Sequence, residues 1–217
     1  MRNRAQRSLA MTAAVSAVCG MVLLGSPAAA EPFFPDPVPP DPVEPYDPVA
    51  HFDQPQRLPA VTPAPSDWQP KFLFPFDETR QFVTDADINA QREMCQWYSV
   101  QYKDLKRQIA GLNNHIVRNN GDWNIDGVGE QADIVTANLD QAVEFLTPRV
   151  GALTRSYDRA GDMYFPLYQA DSFHGLWQQM SNVSNGIRAR QPTWFSGPSY
   201  HLMQFWGSKI QRSHVCR

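Results

Sequence analysis

Cysteine is scarce in this chain, with only Cys19, Cys95 and Cys216 among 217 residues. No spacing of the five histidines (51, 115, 174, 201 and 214) gives H-E-x-x-H or any other arrangement that holds zinc on one face. There is no G-x-S-x-G, no Ser-x-x-Lys and no phosphate-binding glycine loop, so nucleophilic and nucleotide chemistry has no motif to stand on. Basic residues form no block and the formal net charge is −3, which leaves no electrostatic footprint for nucleic acid. Proline is rare after residue 75, where only four of the 19 occur. Nothing alternates over a length that reads as a sheet.

What is there begins with an export signal. Arg2, Arg4 and Arg7 precede an Ala/Val/Leu-rich run from Ser8 to Gly25, and Ala28-Ala29-Ala30 supplies the small residues of a cleavage site before Glu31. No arginine pair is present, which favours the general secretion route. Val18 is a poor neighbour for a lipidated Cys19, and the apolar run continues to Leu24. Removing residues 1–30 leaves 16 basic against 22 acidic residues, a charge of −6. No later apolar run reaches the roughly eighteen residues of a membrane span. The expected location is therefore secreted or in the cell envelope, with no membrane span after cleavage. In that compartment Cys95 and Cys216 pair most simply as a disulfide.

Residues 31–75 hold fourteen prolines and the degenerate repeat Asp36-Pro37-Val38, Asp41-Pro42-Val43, Asp47-Pro48-Val49. Proline lacks a donor and restricts the residue before it, so residues 31–70 are expected to be an extended, disordered polyproline-II-like linker. The alternative is a P-x-x-P ligand for an aromatic groove. An alanine-rich signal followed by an acidic proline-rich spacer resembles exported envelope proteins of high-GC Gram-positive bacteria. Trp68, Phe72, Phe74 and Phe76 are too apolar to stay in water. This piece is expected to strap along the neighbouring helical domain.

Residues 71–217 read as all-α, an antiparallel helical bundle opening on a long helical hairpin. Thr84-x-x-Asp87 resembles a capping box. A heptad seam of Ile88, Cys95, Tyr98, Tyr102, Leu105, Ile109, Leu112 and Ile116, with Gln91 filling one place, predicts a helix over 85–118. Asn119-Asn120-Gly121 stops it. Ile134, Val135, Leu139, Ala142, Val143 and Leu146 predict a second helix to Thr147, and Thr147-Pro148 a fresh one over 148–159 with Gly161 as its stop. Ser172 caps a further helix striped by Phe173, Leu176, Trp177, Met180, Val183 and Ile187. The last starts near Pro198, with Leu202, Met203, Trp206 and Ile210 inward.

Between the first two helices lies Asp122-Trp123-Asn124-Ile125-Asp126-Gly127-Val128-Gly129-Glu130-Gln131-Ala132-Asp133. This D-x-N-x-D-G run resembles the calcium loop of EF-hands, and its terminal Asp is closer to dockerin-type versions. The resemblance implies one calcium ion as cofactor. A hard cation takes six to eight oxygens, here from Asp122, Asn124, Asp126, the Val128 carbonyl, Glu130 and Asp133, with Gly127 at the sharp turn. The loop departs from the family in having Gly129 at the eighth place and no second loop. The alternative is a polar hairpin in which Asp and Asn cap turns.

No residue qualifies as catalytic. Asp171 and His174 could pair, but a helix cap explains them. Trp194-Phe195 and Phe205-Trp206 cannot all face inward, so aromatic surface is left for a protein or cell-wall partner. The expectation is a non-catalytic binding or scaffold protein of the bacterial envelope. The runners-up are an envelope enzyme without a recognisable motif and a carrier with an apolar cavity among Trp177, Met180, Met203 and Trp206.

Overall fold

The computed structural model describes residues 54–217. The expected export signal of residues 1–30 and the first part of the proline-rich stretch lie outside the described residues. The described chain is mostly helical. Its helices are α1 (Asp85–Trp97), α2 (Lys103–Arg118), α3 (Val128–Ala152), α4 (Ala170–Arg188), α5 (Pro192–Phe195) and α6 (Pro198–Arg212).

The capping box at the start of α1 is complete: Asp87 N donates to Thr84 Oγ1 at 3.2 Å, and Thr84 N donates to the Asp87 carboxylate at 2.8 Å. Between α1 and α2 the helix widens into a π-turn over Tyr98–Tyr102. Ser99 Oγ draws on the Cys95 carbonyl at 2.8 Å, four residues back, which loosens the regular ladder there. The wider turn sets Tyr98 and Tyr102 in a stack with ring centroids 4.8 Å apart. Both hydroxyls then donate to α6, Tyr98 to Gly207 O at 2.7 Å and Tyr102 to Met203 O at 3.2 Å. The heptad seam is buried at Cys95, Tyr102, Leu105, Ile109, Leu112 and Ile116. Helix α2 ends where Asn120 and Gly121 take positive φ and Gly121 N returns to Ile116 O.

Helix α3 buries Val135, Leu139, Ala142 and Leu146 against α1, α2 and α4. It runs through Pro148 to Ala152, so the predicted fresh helix over 148–159 does not form. Pro148 removes only one donor, on an exposed face, which the helix tolerates. The true stop is set from outside the segment. Asp87 takes Thr154 N at 2.5 Å and Thr154 Oγ1 at 2.9 Å, pulling the chain out of the helix. The chain then makes a two-stranded hairpin, β1 (Ser156–Tyr157) antiparallel to β2 (Met163–Tyr164), although its sequence carries no sheet pattern. Gly161, with φ 87°, belongs to its turn, and Asp158 Oδ1 accepts from Ala160 N and Asp162 N, each at 2.8 Å.

Helix α4 buries Phe173, Leu176, Met180, Val183 and Ile187. It starts two residues before the predicted cap, because Ser172 Oγ is taken by Gln169 Oε1 at 2.7 Å. Its most extensive packing is on α6. Two glycines permit close approach. A Cβ on Gly175 would meet the Trp206 ring at 2.5 Å, and one on Gly207 would overlap the Tyr102 hydroxyl. On α6, Met203 and Ile210 are buried as expected, whereas Leu202 is 43% exposed and Trp206 half-buried. Cys216 is disulfide-bonded to Cys95, tying the chain's end to α1.

The extended segment contacts the helices from Gln54 onward, well before Trp68. Asn138, on α3, holds it from both sides of its amide: Oδ1 accepts Leu58 N at 3.0 Å and Nδ2 donates to Gln56 O at 2.8 Å. Gln96, on α1, does the same for Ala64, with bonds of 3.0 and 2.7 Å. Trp68 Nε1 then reaches Val215 O at 2.7 Å, and Phe76 packs edge-on to Tyr168 at 5.3 Å.

Candidate functional site

The D-x-N-x-D-G loop joins α2 to α3. Asp122 and Asn124 form a local turn: Asp122 Oδ1 accepts Asn124 N at 2.8 Å and Asn124 Nδ2 at 3.1 Å. Asn124 Oδ1 in turn faces Arg190 Nη1 at 3.5 Å. Gly127 has φ 85° and precedes the helix, as the sharp turn requires. Val128 is buried and opens α3, while Asp126, Glu130 and Asp133 are exposed. Among the described residues no three of His, Cys, Asp or Glu converge as a metal site. In this arrangement a cation would find Asp122 and Asn124 already engaged, with a guanidinium beside them.

Trp123, inside this loop, separates two clefts and packs on Phe195 with ring centroids 5.9 Å apart. One, of about 280 Å³, is apolar and lined by Ile116, Val117, Pro192 and Phe195. The other, of about 300 Å³, carries Asp133, Asp140, Arg188 and Arg190. Asp140 is committed there, to an ion pair with Arg188 and to Ser184 Oγ at 2.8 Å.

The groups with shifted protonation lie elsewhere. His174 sits between Phe165 and Trp177, with ring centroids 5.5 and 5.7 Å away. Burial lowers its pKa below the usual imidazole value, Arg155 lowers it further, and Asp171 opposes them. Asp171 itself goes to Lys209, 3.0 Å away, on α6. Tyr164, on the exposed hairpin, has its phenol pKa raised chiefly by Asp158. Neither group lines a cleft around Trp123. Met180 and Met203 are fully buried, Trp206 lies against Gly175, and Trp177 turns to Thr147 Oγ1 at 3.0 Å.

The adjacent aromatic pairs split. Phe195 is buried and Trp194 is 54% exposed, while Phe205 is 48% exposed beside half-buried Trp206. Leu202, Phe205, Trp206 and Lys209 keep the i, i+3, i+4, i+7 spacing, which makes one stripe along α6. Lys209 Nζ lies 4.7 Å from the Trp206 ring, over a stripe that is otherwise apolar.

A set of amides escapes sequence reasoning. Gln96, Gln101, Gln108, Asn138 and Gln141 all bond the main chain of residues 56–64. The seven-residue step from Gln101 to Gln108 carries the signal, an amide stripe beside an apolar seam. No family model, no curated protein and no solved structure matches the chain.

Proposed function

We propose that this is an exported, non-catalytic binding or scaffold protein of the bacterial cell envelope, built as an antiparallel helical bundle that opens on a long hairpin. The α6 stripe carries the reading. Leu202 and Phe205 stay about half exposed on a helix whose other face is fully packed. Exposed apolar side chains on one stripe, with Lys209 already paired to Asp171, suit a protein or cell-wall partner that offers an apolar surface. The enzyme alternative calls for a perturbed titratable group inside a cleft. Purified chain should co-sediment with isolated envelopes, and Leu202→Ser/Phe205→Ser should abolish this without altering the melting temperature. Equal sedimentation of both proteins would end the proposal.

The loop of residues 122–133 is proposed to hold one calcium ion as a structural cofactor, through Asp122, Asn124, Asp126, Val128, Glu130 and Asp133. What supports this is the ligand spacing and the positive φ at Gly127. Titration calorimetry should give saturable heat that Asp122→Ala/Asp126→Ala loses. No heat at millimolar calcium would reduce the loop to a hairpin turn.

A further inference from the structure

Residues 54–64 have the periodicity of a bound ligand. Pro55 is buried, Leu58 and Val61 are partly buried against the core, and Ala64 is gripped through both main-chain groups by Gln96. Burial recurs every third residue at 55, 58 and 61, with Gln56, Arg57, Pro59 and Ala60 between them exposed; beyond Val61, Pro63 is partly buried and Ala64 is exposed but held by its main chain. Three residues per turn is the polyproline-II repeat, which has no internal hydrogen bonds and leaves its main chain for others to read.

The groove supplies that reading. Gln108 and Asn138 both donate to Gln56 O, at 3.1 and 2.8 Å. Gln101 donates to Pro59 O, and Gln141 to Leu58 O at 3.3 Å. Asn138 is 1% exposed and Gln101 4%; Asn138 Nδ2 also donates to Gln108 Oε1 at 2.7 Å, while Asn138 Oδ1 and Gln101 Nε2 take their partners from the strap. Only two strap positions need an N–H, Leu58 for Asn138 and Ala64 for Gln96. The groove therefore asks for an apolar residue at places 55, 58 and 61 and for no proline at 58 and 64. It asks little of the other side chains.

The chain carries that pattern twice. Twelve residues earlier, Tyr46, Val49 and Phe52 stand where Leu58, Val61 and Ala64 stand, outside the described residues. Tyr46 and Phe52 both have the required N–H, and one proline, Pro48, falls between them. Ala64 is exposed, which leaves room for a larger residue at that place. We propose that the groove between α1–α2 and α3 is a polyproline-II peptide receptor. It is held in cis by residues 54–64 and accepts residues 44–53 of a second copy when the strap releases, so that copies are linked through their arms. The tethered strap competes from a high effective concentration, so linked copies of the intact chain build up only as the protein concentration is raised.

The test uses the full oxidised chain with a specific protease site placed at exposed Ser66–Asp67 and cut after folding, helicity being checked by circular dichroism. A fluorescent peptide of residues 44–53 is then titrated by anisotropy. We expect saturable binding, competition by unlabelled peptide 54–64, and a loss of about tenfold or more with Tyr46→Pro, which deletes one N–H. Asp47→Pro should bind as well as the parent, because the matching place is already Pro59. Two results would overturn the proposal: no binding at about 1 mM while peptide 54–64 rebinds, or equal weakening by both prolines. Sedimentation of the uncut chain should show dimers that excess peptide dissolves, and a monomer at every concentration would refute the second-copy occupant.

Discussion

Asp87→Ala should be among the most damaging single changes outside the apolar core. The carboxylate is fully buried and takes four bonds: Thr84 N at 2.8 Å, Thr84 Oγ1 at 2.6 Å, Thr154 N at 2.5 Å and Thr154 Oγ1 at 2.9 Å. Alanine leaves Thr84 Oγ1 on the residue-87 N–H but removes the reciprocal half of the capping box, the bond from Thr84 N, which costs about 1 kcal/mol. It also strands the Thr154 N–H in a partly buried place, for about 1–3 kcal/mol more. The hydroxyls can turn elsewhere and add little. A loss of about 3 kcal/mol lowers the melting temperature of a domain this size by roughly 6–12 °C. Thermal melts at 222 nm would read it. Because Asp87 acts through Thr154, the double variant Asp87→Ala/Thr154→Ala should fall short of the sum of the singles by about 1 kcal/mol. A drop under about 2 °C, or strict additivity, would refute the idea that this carboxylate joins the start of α1 to the end of α3.

The same packing sets three further outcomes. Gly207→Ala drives a methyl into the Tyr102 hydroxyl and should cost about 1–3 kcal/mol in denaturant titration, with part recovered in Gly207→Ala/Tyr102→Phe. Opening the disulfide, whose ends are 121 residues apart, should remove about 4–5 kcal/mol by the chain-entropy relation, so Cys95→Ser/Cys216→Ser should melt roughly 10–15 °C lower. His174 has a lowered folded pKa, so the unfolded chain binds its proton first. Its contribution is full above about pH 6.5 and fades as pH falls through the folded value. Melts from pH 7.5 to 5 should therefore decline less steeply in His174→Gln than in the parent.

The helices are legible in the sequence because their apolar spacing matches their buried faces. Leu105, Ile109, Leu112 and Ile116 on α2, and Phe173, Leu176, Met180, Val183 and Ile187 on α4, recur at intervals of three and four and are all buried. The end of α3 is not legible, because Pro148 signals a break and the actual stop comes from Asp87, 67 positions away from Thr154. The π-turn is equally hidden, since Tyr98 and Tyr102 keep an interval that a regular helix also allows. The loop is a mixed case. Its spacing and its glycine turn are visible, but the bond from Arg190 to Asn124 joins residues 66 apart and no local pattern reports it. Prolines dominate the strap and give it the look of a solvated spacer. Its grip depends on amides whose sequence positions look like ordinary polar filler.

The most direct measurement of the binding claim is a photo-crosslink in intact cells. A photoreactive phenylalanine analogue replaces Phe205 on the α6 stripe, and in a parallel strain Val100, which is 66% exposed on the π-turn. A partner seated on the stripe predicts one discrete adduct at 205, recovered with the envelope, and none at 100. No adduct at 205, or the same ladder of products at both positions, would contradict it.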